Sequence, residues 1–148
     1  MLAQLITSFI ASAAFGIIFN VPKSSLFQCG LVGMIGWIVY YLLVENDINS
    51  IMATMASAFI VAVISQYFAK RFKTPITIFN VSGIIPLVPG GLSYNAMKHF
   101  VVNDFYVAVQ MAAKVFMLAG AIAMGLIFAE VMNQLVLKYN RRKIRMRG

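Results

Sequence analysis

Charge is scarce in this sequence, and acidic charge scarcest: 148 residues hold 12 Lys and Arg against 4 Asp and Glu. A soluble domain keeps about a quarter of its residues charged so that its surface can face water. Here 11% are charged and 61% are hydrophobic, at a mean hydropathy of +0.87. So few charges cannot cover a soluble globule, and lipid is the solvent for most of the surface. A single cysteine, Cys29, excludes an intrachain disulfide and a thiolate metal cluster; it reads as a small buried apolar residue. The single histidine, His99, excludes a histidine metal cage and falls in a predicted loop. Gly-x-Ser-x-Gly, His-Glu-x-x-His and phosphate-binding loops are all missing. The chain reads as neither an enzyme nor a holder of metal or cofactor.

What is present is a series of long apolar runs. A membrane helix needs about 20 such residues, so the chain has room for about five spans and no extramembrane domain. The first run, Leu2 to Phe19, has no Lys or Arg before Lys23, lacks a clean cleavage site, and reads as a retained span ended by Asn20-Val21-Pro22. The second is Leu26 to Val44, closed by Glu45-Asn46-Asp47. The third is Ile48 to Ala69, closed by Lys70, Arg71 and Lys73. The last, Phe105 to about Leu137, would be roughly 50 Å long as a helix and must tilt or project from the bilayer. Residues 1–137 read as one transmembrane domain and 138–148 as a basic tail, which holds six of the twelve cations. On a membrane bundle such a tail reads as a cytoplasmic anchor near anionic lipid, not as a nucleic-acid site.

The fourth segment, Pro75 to Met97, is apolar but contains Pro86-Leu87-Val88-Pro89-Gly90-Gly91, which cannot continue a regular helix. Broken backbone at membrane depth is tolerated only where protein buries it or a watery cavity meets it. Charge decides between a crossing and a dip. A crossing puts the tail, Lys70-Arg71-Lys73 and Lys23 on one face, with Glu45, Asp47 and Asp104 on the other. A re-entrant dip splits the two basic clusters, against the positive-inside rule. The expected architecture is therefore an all-α polytopic bundle of about five spans, the fourth broken at Pro86–Gly91. Its N-terminus is outside and its C-terminus cytoplasmic.

Small and polar residues recur every four positions: Ser8, Ser12, Gly16 and Asn20; Thr54, Ala58, Ala62 and Gln66; Ala121, Gly125 and Ala129. This spacing sets each group on one helix face, where small side chains admit close backbone packing. Asn20 and Gln66 are the members best suited to a polar path. At the break, a half-helix beginning after Gly91 would present free N–H groups and a positive dipole end, a setting for a carboxylate. Ser93, Tyr94 and Asn95 add donors on its first turn, and Asn80 and Ser82 add polar groups just before the break. Lys114 and Glu130, the two charges inside apolar sequence, are too far apart along a helix (about 24 Å) to pair. Lys114 is the competing candidate for an anion counter-charge.

Two stretches, Ile18-Phe19-Asn20-Val21-Pro22 and Ile84-Ile85-Pro86-Leu87-Val88-Pro89-Gly90-Gly91-Leu92-Ser93-Tyr94, resemble the threonine/serine exporter family, in its small C-terminal-type membrane module. The resemblance covers essentially the whole chain. It implies a subunit of the bacterial inner membrane that works with a larger membrane subunit, exporting threonine and serine or, in a two-subunit version, succinate. The substrate pathway expected from the residues themselves runs by Asn20, Asn80, Ser82, Pro86, Pro89, Gly90, Gly91, Ser93, Tyr94 and Lys114. The expected function is secondary export of a small carboxylate or amino acid, driven by an ion gradient. The rival expectations are a structural subunit without substrate contact and a self-sufficient channel.

Overall fold

The computed structural model describes the backbone of residues 2–145 and the side chains of residues 2–139. Arg147, part of the basic tail, lies outside the described residues. Six α-helices follow in order: α1 Leu2–Ile18, α2 Leu26–Glu45, α3 Ser50–Phe72, α4 Ile76–Ile84, α5 Gly90–Val101 and α6 Phe105–Arg145. Two 3₁₀ turns, Lys23–Ser25 and Ile85–Leu87, precede α2 and follow α4. Among the described residues there is no strand.

Helix ends follow short-range chemistry. Asn20, Asp47, Lys73 and Asn103 all sit in the left-handed region, at φ of 55°, 59°, 52° and 62°. Asn and Asp tolerate that conformation better than other residues with a Cβ. At the end of α1 the Asn20 N–H donates to Ile17 and the Val21 N–H to Gly16, closing the helix with the paired bonds of a left-handed cap. The Asn49 side chain accepts from the Ile51 N–H to open α3, and Lys70 and Arg71 lie in its last turn, favourably placed against the helix dipole. Two of the three basic residues are thus part of α3, and Lys73 is its left-handed cap. α6 likewise runs on without interruption from Leu137 to Arg145, so most of the basic tail continues the helix. His99, expected in a loop, lies in the last turn of α5, where its Nδ1 is 3.1 Å from an Asp104 carboxylate oxygen at the start of α6.

Between helices in lipid there is little hydrophobic driving force, so close van der Waals packing has to hold the bundle. The small-residue stripes supply it. Ser8, Ser12 and Gly16 are the buried residues of α1, and Thr54, Ala58, Ala62 and Gln66 are buried on α3. Ala121, Gly125 and Ala129 are buried on α6. A Cβ at Gly33 would collide with Ser12, and one at Gly125 would lie 2.5 Å from the Met55 carbonyl oxygen and 2.9 Å from Ala58 Cβ. α1 and α2 therefore cross at Ser12–Gly33, while α3 and α6 touch at Met55–Gly125. A core of Val32, Ala58, Val61, Leu87 and Ile122 joins α2, α3, α6 and the turn after α4.

The contacts of α6 with α3 progress from Gly125 beside Met55 and Ala58, through Ala129 beside Gln66, to Asn133 beside Lys70. These two helices run in the same direction. α4 lies between α2 and α3, and α5 packs on the first part of α6.

Three helical segments are long and apolar enough to cross a membrane: Lys23–Glu45, Ser50–Phe72 and Phe105–Tyr139. The bent pair Ile76–Leu87 and Gly90–Val101 supplies a fourth, and α1 is a shorter apolar helix. The bend of 54° leaves α5 advancing along the α4 direction instead of turning back. α4 with its 3₁₀ turn is about 19 Å long and α5 adds about 11 Å of forward rise, near the roughly 30 Å of a hydrocarbon core.

Candidate functional site

The break is shorter than the proline-glycine composition predicts. Pro86 has no N–H for the Ser82 carbonyl, and the chain tightens into the 3₁₀ turn. Only Val88 and Pro89 leave helical structure, with Pro89 at φ −77° and ψ 53° and the Gly90 N–H donating to Val88 at 2.8 Å. That is an inverse γ-turn. α5 begins at Gly90, so both glycines belong to its first turn, two residues earlier than expected.

The turn faces a cleft of about 270 Å³, lined by Pro86 to Leu92 together with Trp37 and Tyr40 of α2, Thr54 of α3 and Leu118 of α6. Pro86, Pro89, Gly90 and Gly91 thus meet in one cavity. Gly90 and Gly91 are exposed, neither has positive φ, and a Cβ on either would meet nothing within 4 Å. Their smallness serves no contact inside this chain; it keeps the helix start open. Pro89 offers no side-chain cap, and the first helical bond of α5 is Ser93 N–H to Pro89. Among the described residues, nothing accepts from the N–H groups of Gly91 and Leu92. The Trp37 indole Nε1 is also buried without a partner. Trp37 and Pro86 separate this cleft from another of about 230 Å³ on the α1 side, where Gln4, Thr7 and Ser8 contribute polar groups.

The other expected residues disperse. Ser93 Oγ turns back to donate to the Pro89 carbonyl at 2.9 Å, and its side chain faces an apolar groove between α5 and α6. Tyr94 points outward at 71% exposure. Ser82 is fully buried beside Gly16, and its Oγ and the Asn80 Oδ1 are buried without partners, one to two turns before the break. Asn20 is an exposed helix cap at the far end of α1 from Gln4 and the clefts. Lys114 is exposed on α6, one turn before Leu118, and outside the cleft lining.

Trp37 and Tyr40 are the cleft residues that sequence reasoning missed. The one signal was the sole tryptophan of the chain, set in the middle of an apolar span. Thr54 was visible only as part of a packing stripe. Its hydroxyl donates to Ser50 at 2.7 Å, as a satisfied membrane hydroxyl does.

These features can be set beside known proteins. A Haemophilus influenzae protein named only as uncharacterized is 25% identical over 134 residues, covering 85% of this chain but 45% of the relative, so the chain spans less than half of that protein's length. No solved structure matches. The family described as "Threonine/Serine exporter, ThrE" matches residues 4–132. With a match running through the packing stripes, the broken helix and most of the apolar part of α6, the chain belongs to the threonine/serine exporter family.

Proposed function

We propose that the chain is a transmembrane subunit of a secondary exporter of small polar carboxylates, threonine and serine first among them, acting with a larger membrane subunit. The observation that carries this reading is the cleft at the start of α5. Unpaired N–H groups of Gly91 and Leu92 and the positive end of the helix dipole stand at one cavity, with the Trp37 ring in its wall, an arrangement suited to a carboxylate. A scaffold without transport has no use for so much unsatisfied polar backbone at membrane depth, which argues against the purely structural reading.

The forward advance of α5 supports a crossing fourth segment. α1 lies along α2 from Ser12–Gly33 to Gly16–Leu26, consistent with a fifth span. The basic residues at the ends of α3 and α6 favour that face as cytoplasmic, in a bacterial inner membrane, with the N-terminus outside. The partner is inferred from two facts: the relative is more than twice as long as the region it shares, and the cleft lies open on one side. An ion gradient would drive export, since no nucleotide-binding motif is present.

The test is efflux of labelled threonine and succinate from cells expressing the chain with and without its genomic neighbour. Export that needs both chains supports the proposal. Full export by the chain alone would make it a self-sufficient channel, and unchanged export when the cleft is blocked would make it a scaffold.

A further inference from the structure

A second polar cavity lies at the other end of the bundle, apart from the break. It measures about 290 Å³ and is lined by Gln66, Ala69 and Lys70 of α3, Ile76 of α4, and Glu130 and Asn133 of α6. Only because α3 and α6 run parallel do residues 63 positions apart share this wall. Gln66, 8% exposed, ties the helices together by donating from Nε2 to the Ala129 carbonyl at 3.1 Å. Its Oε1 remains an acceptor with no partner among the described residues.

The cavity carries one cation and one anion that do not pair with each other. Lys70 Nζ donates to Asn133 Oδ1 at 3.0 Å, and Glu130 Oε1 accepts from Gln134 Nε2 at 3.1 Å. Among the described residues the one ion pair is His99–Asp104, at the opposite end. Both charged residues are exposed at the open mouth of the cavity, on either side of the buried Gln66. Here each charge has a neutral amide instead of an ion partner: Lys70 reaches across to Asn133 on α6, and Glu130 is held by Gln134 of its own helix.

We propose that this cavity is a solute-binding site for an α-amino acid in its zwitterionic form, Lys70 taking the carboxylate and Glu130 the ammonium, with Gln66 Oε1 as a further acceptor. A dicarboxylate is disfavoured there, because its second carboxylate would face Glu130. The inference rests on reading the chain as an exporter subunit and adds the residues that would select an amino acid over a dicarboxylate. The site is distinct from the cleft at the break, and the two lie at opposite ends of α4.

The test is equilibrium binding to the full chain in nanodiscs of uncharged lipid, with four probes: L-threonine, N-acetyl-L-threonine, L-threonine amide and succinate. L-threonine should bind tightest. Lys70→Gln should weaken it roughly tenfold or more, the scale of a lost charge-assisted hydrogen bond, and leave the amide unchanged. Glu130→Gln should weaken L-threonine similarly and leave the N-acetyl derivative unchanged. Arg71→Gln, which alters net charge without lining the cavity, should change none of them. Succinate binding as tightly as threonine, or threonine affinity indifferent to both variants, would overturn the proposal. If both variants bind and export normally while a blocked break abolishes export, the exporter reading stands and this site falls. If binding follows the two charges but cells export normally without the chain, the site stands and the exporter reading falls.

Discussion

Gly91→Val is the perturbation that separates ligand approach from folding. At most glycines of this bundle an added Cβ collides with a neighbour: the Val61 side chain at Gly36 and the Val32 side chain at Gly83, both at 2.5 Å. Gly91 has negative φ and open space within 4 Å, and sits in the first turn of α5. Replacing glycine by a side chain at such a position stabilises by about 0.4–1 kcal/mol through the unfolded chain, less for β-branched valine. Folding should therefore be unharmed. Function should not be, because the new methyl groups stand beside the unpaired N–H groups of Gly91 and Leu92. Losing one hydrogen bond to a charged carboxylate costs about 1.5–3 kcal/mol, or roughly 10- to 150-fold in efflux at limiting substrate. The assay pairs a thermal melt in detergent with threonine efflux at matched protein levels, and Gly91→Ala as the milder step. Co-purification of the partner separates a blocked solute from a blocked subunit contact. A lowered melting temperature would show that Gly91 is packed after all. Stable protein with efflux within about twofold of the unaltered chain would refute the cleft as the solute site.

On α6, Gly125→Ala should destabilise by about 1–3 kcal/mol through overpacking against α3, whereas Gly120→Ala, with nothing within 4 Å, should stabilise by up to about 1 kcal/mol; chemical unfolding in micelles compares them. Ser93→Ala removes an exposed bond to Pro89 outside the cleft and should lower stability by at most about 1 kcal/mol in a thermal melt, with efflux within about twofold of the unaltered chain. Lys114→Gln should retain most efflux, since Lys114 lies outside the cleft; loss of transport there, with Gly91→Val active, would move the anion site to α6. Reporters fused after Gly148 should be active only in a cytoplasmic form, and those near Asn46 or Asp104 only in an external one. A cytoplasmic signal at both Asp104 and Gly148 would show that α4 and α5 do not cross.

The membrane class, the helical fold and the position of the break were legible in the sequence because each depends on local chemistry. Lipid demands long apolar runs, prolines remove donors wherever they fall, and four-residue spacing marks a helix face in any surroundings. Ser12, Ala58 and Gly125 could thus be assigned to packed faces without knowing their partners. What each face meets was not legible. That Ser12 packs on Gly33, that Trp37 and Thr54 close the cleft around Pro89, and that Gln66 and Lys70 stand beside Glu130 and Asn133 follow from the crossing of helices far apart in the chain. No residue pattern on one helix encodes its register against another. The two charges of the α3–α6 cavity read as unrelated in sequence, 60 residues apart. The tertiary structure alone makes them neighbours, because small side chains let those two helices lie close enough for both to reach one cavity.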